Sequence, residues 1–191
     1  MIDLNVYNTL PPVKGRLLIT EPFEDSEYFQ RSVILLCEHN EEGTFGFVLN
    51  NYVDVQLSDF NEMPEFDTRL SLGGPVSSKN LYYIHTLGEQ LEGSIAVTDE
   101  LYAGGDFAAL KEMISNHQVD RTQVRFFVGY SGWVQNQLEG EIKSNAWLVS
   151  DIPDYRMVMD VDNEQLWSQL MKRQGGKYKA FAHFPTNPAL N

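Results

Sequence analysis

The chain is poor in cysteine, in positive charge and in long hydrophobic runs, and each shortage excludes something. One cysteine in 191 residues, Cys37, cannot close an internal disulfide. It ends the apolar run Val33-Ile34-Leu35-Leu36-Cys37, where a free thiol packs as a small hydrophobe. The longest uncharged apolar-rich stretch, Phe126 to Val134, is far too short to span a bilayer and contains two glycines. Met1 to Leu10 lacks the basic start and apolar stretch of a secretion signal. These features predict a cytoplasmic protein that does not enter a membrane. No repeat, low-complexity tract or Pro/Ser-rich linker interrupts the chain, so residues 1–191 read as a single domain with its core in 14–184 and loose ends.

Positive charge is the third shortage. Lys and Arg number 14 against 27 Asp and Glu, a formal net charge of −13. The excess is local: Glu21 to Asp67 carries twelve acids and one base, Arg31, whereas the chain from Thr68 onward is nearly balanced. Nucleic-acid affinity depends on Lys and Arg displacing counterions, so direct binding to a phosphate backbone is disfavoured. The one basic cluster is Lys172, Arg173, Lys177 and Lys179. A cationic helix end followed by a solvated strand accounts for it more simply than a phosphate site does.

What is present reads as many short strands mixed with a few helices. Strands are predicted over 16–20, 32–38, 44–49, 69–72, 81–86, 94–97, 122–130, 146–150 and 177–184. The second and third of these form a hairpin around Asn40-Glu41-Glu42-Gly43. A short helix is predicted over 57–63, with Asp59 and Glu62 as a capping box and Pro64 as its stop. Asp106 caps a helix through Phe107, Leu110 and Ile114. Another carries Val134, Leu138 and Ile142 on one stripe after a Gly-rich turn at Gly129 to Trp133. A last helix, through Leu166, Trp167, Leu170 and Met171, has Asp162 and Gln165 as its capping box. Strands and helices do not alternate one for one, which favours α+β over a doubly wound sheet.

Each motif that could carry chemistry lacks a partner. Gly129-Tyr130-Ser131-Gly132 resembles a hydrolase nucleophile elbow, but the fifth position is Trp133 where a small residue is needed. A serine nucleophile also needs a base and an orienting acid, and nothing selects among His39, His85, His117 and His183. Glu38-His39-Asn40-Glu41-Glu42 brings carboxylates beside an imidazole, yet it falls on the hairpin turn with no second ligand set at metal-binding spacing. Gly73-Gly74-Pro75 follows a strand but lacks a phosphate-loop pattern, and Gly104-Gly105-Asp106 reads as a helix start. No catalytic residue, cofactor or metal is expected. The polar and glycine positions at strand ends, His39, Asn50, Gly73, Gly74, His85, Gly132 and Trp133, form the candidate pocket.

Taken in order, several blocks resemble the YqgE/AlgH family. They are Lys14-Gly15-Arg16-Leu17-Leu18-Ile19, Phe29-Gln30-Arg31-Ser32-Val33-Ile34-Leu35-Leu36 leading to His39, and Gly46-Phe47-Val48-Leu49-Asn50. They continue as Leu72-Gly73-Gly74-Pro75-Val76, Leu81 with His85-Thr86, Gly104-Gly105-Asp106, Gly129-Tyr130 with Gly132-Trp133, and Asn145-Ala146-Trp147-Leu148. The resemblance implies a bacterial cytoplasmic protein with an α+β fold, a branched, partly barrel-like mixed sheet and surrounding helices. Members carry no assigned biochemical activity and are often labelled transcriptional regulators. The family commonly has Ala where this chain has Ser131, and Gly-Pro-Gly where it has Val134-Gln135-Asn136, so neither a serine nucleophile nor a Gly-rich ligand loop is expected there. The leading functional expectation is a non-enzymatic regulatory or interaction protein that meets a protein partner through the acidic 21–67 surface. The alternative is a small-molecule binder or enzyme with its pocket at the strand ends.

Overall fold

The computed structural model describes residues 10–24, 26, 28–60 and 63–183. Among these residues ten strands form one mixed sheet: β1 (Leu17–Thr20), β2 (Val33–Asn40), β3 (Gly43–Val48), β4 (Tyr52–Val53), β5 (Leu70–Leu72), β6 (Val76–His85), β7 (Ile95–Ala96), β8 (Tyr102–Ala103), β9 (Val124–Val134) and β10 (Trp147–Ser150). Its order is β10-β1-β2-β3-β9-β6-β8-β7. β9 is the branch point. β3 pairs with its residues 131–134 antiparallel, while β5 lies parallel to 127–128 and carries β4 on its far side. The fold is therefore α+β with a branched sheet, which among the described residues does not close.

Helices cover both faces: α1 (Phe107–Ser115), α2 (Gln137–Lys143), α3 (Tyr155–Met159), α4 (Leu166–Gln174) and α5 (Gly176–Phe181). Asp106 caps α1 as expected, its carboxylate accepting from the Ala108 and Ala109 N–H groups at 2.9 and 3.0 Å. The β2 run is buried on both faces, Val33 through Cys37 being at most 1% exposed. One hydrophobic cluster joins Ile19, Leu35, Phe47, Ile84 and Phe127 to Trp167 and Leu170 of α4. A second gathers Phe126, Val128 and Leu110. In a third, Trp133 and Trp147 pack with Leu138 of α2.

Several local expectations are corrected. Gly129 to Trp133 is not a strand-to-helix turn, because β9 continues through it to Val134, held by β3. Val134 thus belongs to the strand and is 73% exposed, and α2 begins only at Gln137. Residues 177–181 are helical rather than extended: Tyr178 and Ala182, four apart, both pack on the first cluster. The helix over 57–63 shrinks to one 3-10 turn, Leu57–Asp59, in which Asp59 accepts from the Gln56 N–H; Glu62 lies outside the described residues. Asp162 does not cap α4, since its carboxylate accepts instead from Arg121 at 2.9 Å.

Candidate functional site

A cavity of about 720 Å³ opens between the β2–β3 hairpin, β6, the β7–β8 ribbon and the end of β9. Its floor follows from strand alternation. Phe45 and Phe47 project from one face of β3, and Tyr82 of β6 and Tyr130 of β9 pack on the same cluster. The four rings form a circuit, with centroids 6.0 Å apart for Phe45–Phe47, 5.8 Å for Phe47–Tyr82, 5.6 Å for Tyr82–Tyr130 and 6.1 Å for Tyr130–Phe45. Phe127 stacks beneath Phe47 at 4.5 Å and anchors the floor to the core.

The space above the rings exists because the facing positions are small. Phe45 pairs across the sheet with Gly132, and a Cβ at Gly132 would come to 3.2 Å from the Tyr130 ring. The rim is of two kinds. Val134, Ile95 and Val76, which are 73, 54 and 36% exposed, form an apolar lip. Glu38, Asn40, Glu42 and Gln137 form a polar edge, and none of the lining residues is Lys, Arg or His. Asn40 organises that edge, donating to Glu38 Oε1 at 3.0 Å and accepting from the Glu42 N–H at 2.8 Å. Tyr83 also lines the cavity; its ring belongs to the second cluster, its hydroxyl donates to Gly105 O at 2.7 Å, and burial, with Asp106 nearby, pushes its pKa up to about 12.

Of the sequence-predicted residues, Gly132 and Trp133 line this cavity. The Trp133 ring itself belongs to the cluster on the other face, where its indole N–H and that of Trp147 both donate to Glu141 Oε2 at 2.8 Å. His39 stands behind the wall, bonded to Thr44 Oγ1 at 2.6 Å and 3.4 Å from Glu139 of α2. His85 is fully buried. Its Nδ1 accepts from the Leu87 N–H at 3.2 Å, so Nε2 carries the proton and donates to the Gly104 carbonyl at 3.0 Å; burial lowers its pKa. Asn50 holds backbone only, accepting from Val33 N–H and donating to Arg31 O, each at 2.8 Å. Gly73 and Gly74 thread beneath β9, where a Cβ on Gly74 would collide with the Tyr130 carbonyl. The histidines, Asn50 and the glycine pair therefore support the walls of the cavity without lining it.

Sequence reasoning missed the four rings. Their signal was the spacing Phe45-Gly46-Phe47 on one strand face, but the partners come from two other strands. Ser131, the serine of the elbow-like motif, is 1% exposed and donates to Gly73 O at 3.0 Å, a structural bond. Cys37 is equally buried, and burial beside Glu38 drives its thiol pKa up, which makes it a poor nucleophile. Among the described residues no three His, Cys, Asp or Glu side chains converge at metal-binding distance, and no helix is long and apolar enough to cross a membrane.

Comparison with known proteins gives a consistent result. Residues 17–179 match the family model described as AlgH-like. A UPF0301 protein of Parabacteroides distasonis is 43% identical over 189 residues, covering 97% of this chain and 94% of the relative. One from Bacteroides thetaiotaomicron is 37% identical over 197 residues, covering 100 and 99%. The solution structure of the AlgH protein from Pseudomonas aeruginosa superposes with a TM-score of 0.70 at 25% identity, covering 90% of this chain and 94% of that one. The crystal structure of DIP2367 from Corynebacterium diphtheriae, at 24% identity, shares the fold with a TM-score of 0.76 over 92 and 94% of the two chains.

Proposed function

The chain belongs to the AlgH-like family, and from the geometry of its cavity we propose that it is a non-enzymatic interaction protein of the cytoplasm that takes up part of a protein partner over the four-ring floor. The observation that carries this reading is the lip. Val76, Ile95 and Val134 are three of the large hydrophobic side chains that the fold leaves exposed, and all three gather at one opening. Isolated exposed hydrophobics are ordinary, whereas three of them at the opening of one cavity with an aromatic floor fit a surface that another chain covers. Any role in transcription would run through that partner. The acids at the rim and through 21–67 repel a phosphate backbone.

A second reading, a small-molecule binder or enzyme, draws on the cavity volume, which falls in the usual range for ligand pockets. An amide-resolved NMR titration separates the two. Short peptides with apolar side chains are expected to shift residues 43–47, 95 and 130–134 together. Shifts from nucleotides and metabolites alone would favour the second reading, and no shift from either class would overturn both.

A further inference from the structure

We infer that the occupant of this cavity is a polypeptide segment carrying a lysine or arginine side chain between apolar residues, with the cation seated against the part-buried rings of Phe45, Tyr82 and Tyr130. The inference rests on the reading of the cavity as a partner-binding surface and adds the chemistry of what it holds. Three observations carry it. The first is the ring circuit: Phe45, Tyr82 and Tyr130 are only part-buried, so three aromatic rings border the cavity. The π-system of such a ring attracts an ammonium or guanidinium group. The second is the rim, where Glu38 and Glu42 are the charged lining residues and, among the described residues, neither is in an ion pair. Both stand on the hairpin of the strand that supplies Phe45 and Phe47. The third is the lip. A free amine over the rings would leave Val134 and Ile95 in water, whereas a chain running past the cation covers them with its neighbouring apolar side chains.

Charge decides between occupant classes. An acidic segment meets like charge at the rim and finds no cation in the lining. A neutral apolar segment is accepted but gains nothing from the carboxylates. A cation gains from both the rings and the rim.

Fluorescence anisotropy with labelled peptides Gly-Ser-Leu-X-Leu-Ser-Gly tests this on the full chain. The X = Arg peptide is expected to bind about fivefold tighter or more than X = Gln, with X = Glu weakest. The Arg advantage is expected to shrink as NaCl rises from about 50 to about 500 mM. It is also expected to shrink in the surface double variant Glu38→Gln/Glu42→Gln, whose folding is checked by its urea midpoint. Tyr130→Ala is expected to weaken all three peptides, its folding being checked by its urea midpoint. Equal binding of X = Arg and X = Gln would overturn the cation assignment and leave the partner-binding reading intact. Tetramethylammonium chloride displacing the Arg peptide completely at low concentration would overturn the choice of a polypeptide over a small amine. Absence of binding by any peptide would overturn the inference and the reading beneath it together.

Discussion

Replacing Arg125 by lysine keeps the buried charge but should cost more than replacing it by methionine. Arg125 is 0% exposed, on β9, and among the described residues no carboxylate accepts from its guanidinium. One terminal nitrogen donates to Val158 O and, at 3.2 Å, to Asp160 O; the other donates to Leu49 O and lies 3.3 Å from Ser71 Oγ. The fork thus ties α3 to Leu49, just after β3, and to Ser71 of β5, and burial lowers the pKa of the group. A lysine keeps the buried charge but has a single ammonium, which can serve one side of the fork. Losing two charged hydrogen bonds at about 1.5–3 kcal/mol each predicts a loss of roughly 3–6 kcal/mol for Arg125→Lys. Methionine removes the charge as well. Leu49 O keeps its bond from Ser71 Oγ at 2.7 Å, so Val158 O is the main acceptor orphaned, at about 1–3 kcal/mol, and relief from burying the cation offsets part of that. Urea unfolding followed by the fluorescence of the buried Trp133, Trp147 and Trp167 reads both values. A lysine variant within about 1 kcal/mol of wild type, or a methionine variant less stable than the lysine one, would refute the account of the fork.

Two further predictions concern the walls of the cavity. His85 is held neutral with its pKa below the ordinary value, so an unfolded chain takes up its proton near pH 6.5 while the fold does not. The stability this group contributes is therefore full above about pH 6.5 and is lost as pH falls through the lowered folded value. His85→Gln, which keeps a donor for Gly104 O, should flatten the decline in urea midpoint between about pH 7.5 and about pH 5; an unchanged slope would sink the assignment. Glu141→Gln should cost about 1–3 kcal/mol, since one carboxylate oxygen accepts both indole N–H groups, and should alter the emission of Trp133 and Trp147 before that of Trp167. Single-tryptophan variants read this, and a change confined to Trp167 would contradict it.

Sequence pattern located the elements whose burial is continuous or whose caps are local. The β2 run and the Asp106 cap of α1 needed no distant partner to be recognised. The α3 helix was also signalled locally and overlooked, for the Asp154 carboxylate accepts from the Arg156 N–H just after Pro153. The errors fall where a distant strand decides. Ser131 and Gly132 have turn-forming composition, and pairing with β3, more than eighty residues earlier, keeps them extended. Two-residue strands such as β4 and β8 carry no period of their own and exist through β5, β6 and β7. Residues 177–180 alternate polar and apolar like a strand, but docking of Tyr178 and Ala182 on the core goes with the helix.

The misread segment of β9 is also what builds the floor. In a regular strand, residues three apart face opposite ways, yet Phe127 and Tyr130 pack on the same cluster. One residue must be absorbed between them, and Gly129, at φ +69°, is where the backbone does so. The partner strand answers with a register shift between Val76, which pairs with Tyr130, and Leu81, which pairs with Val128. That single irregularity returns Tyr130 to the face of Phe45 and Phe47 and leaves its neighbour Gly132 as the gap above them. The glycines that imitate a catalytic turn in the sequence therefore serve a different end. They let a strand change phase, and the change of phase brings Tyr130 into the circuit of four aromatic rings that floors the cavity.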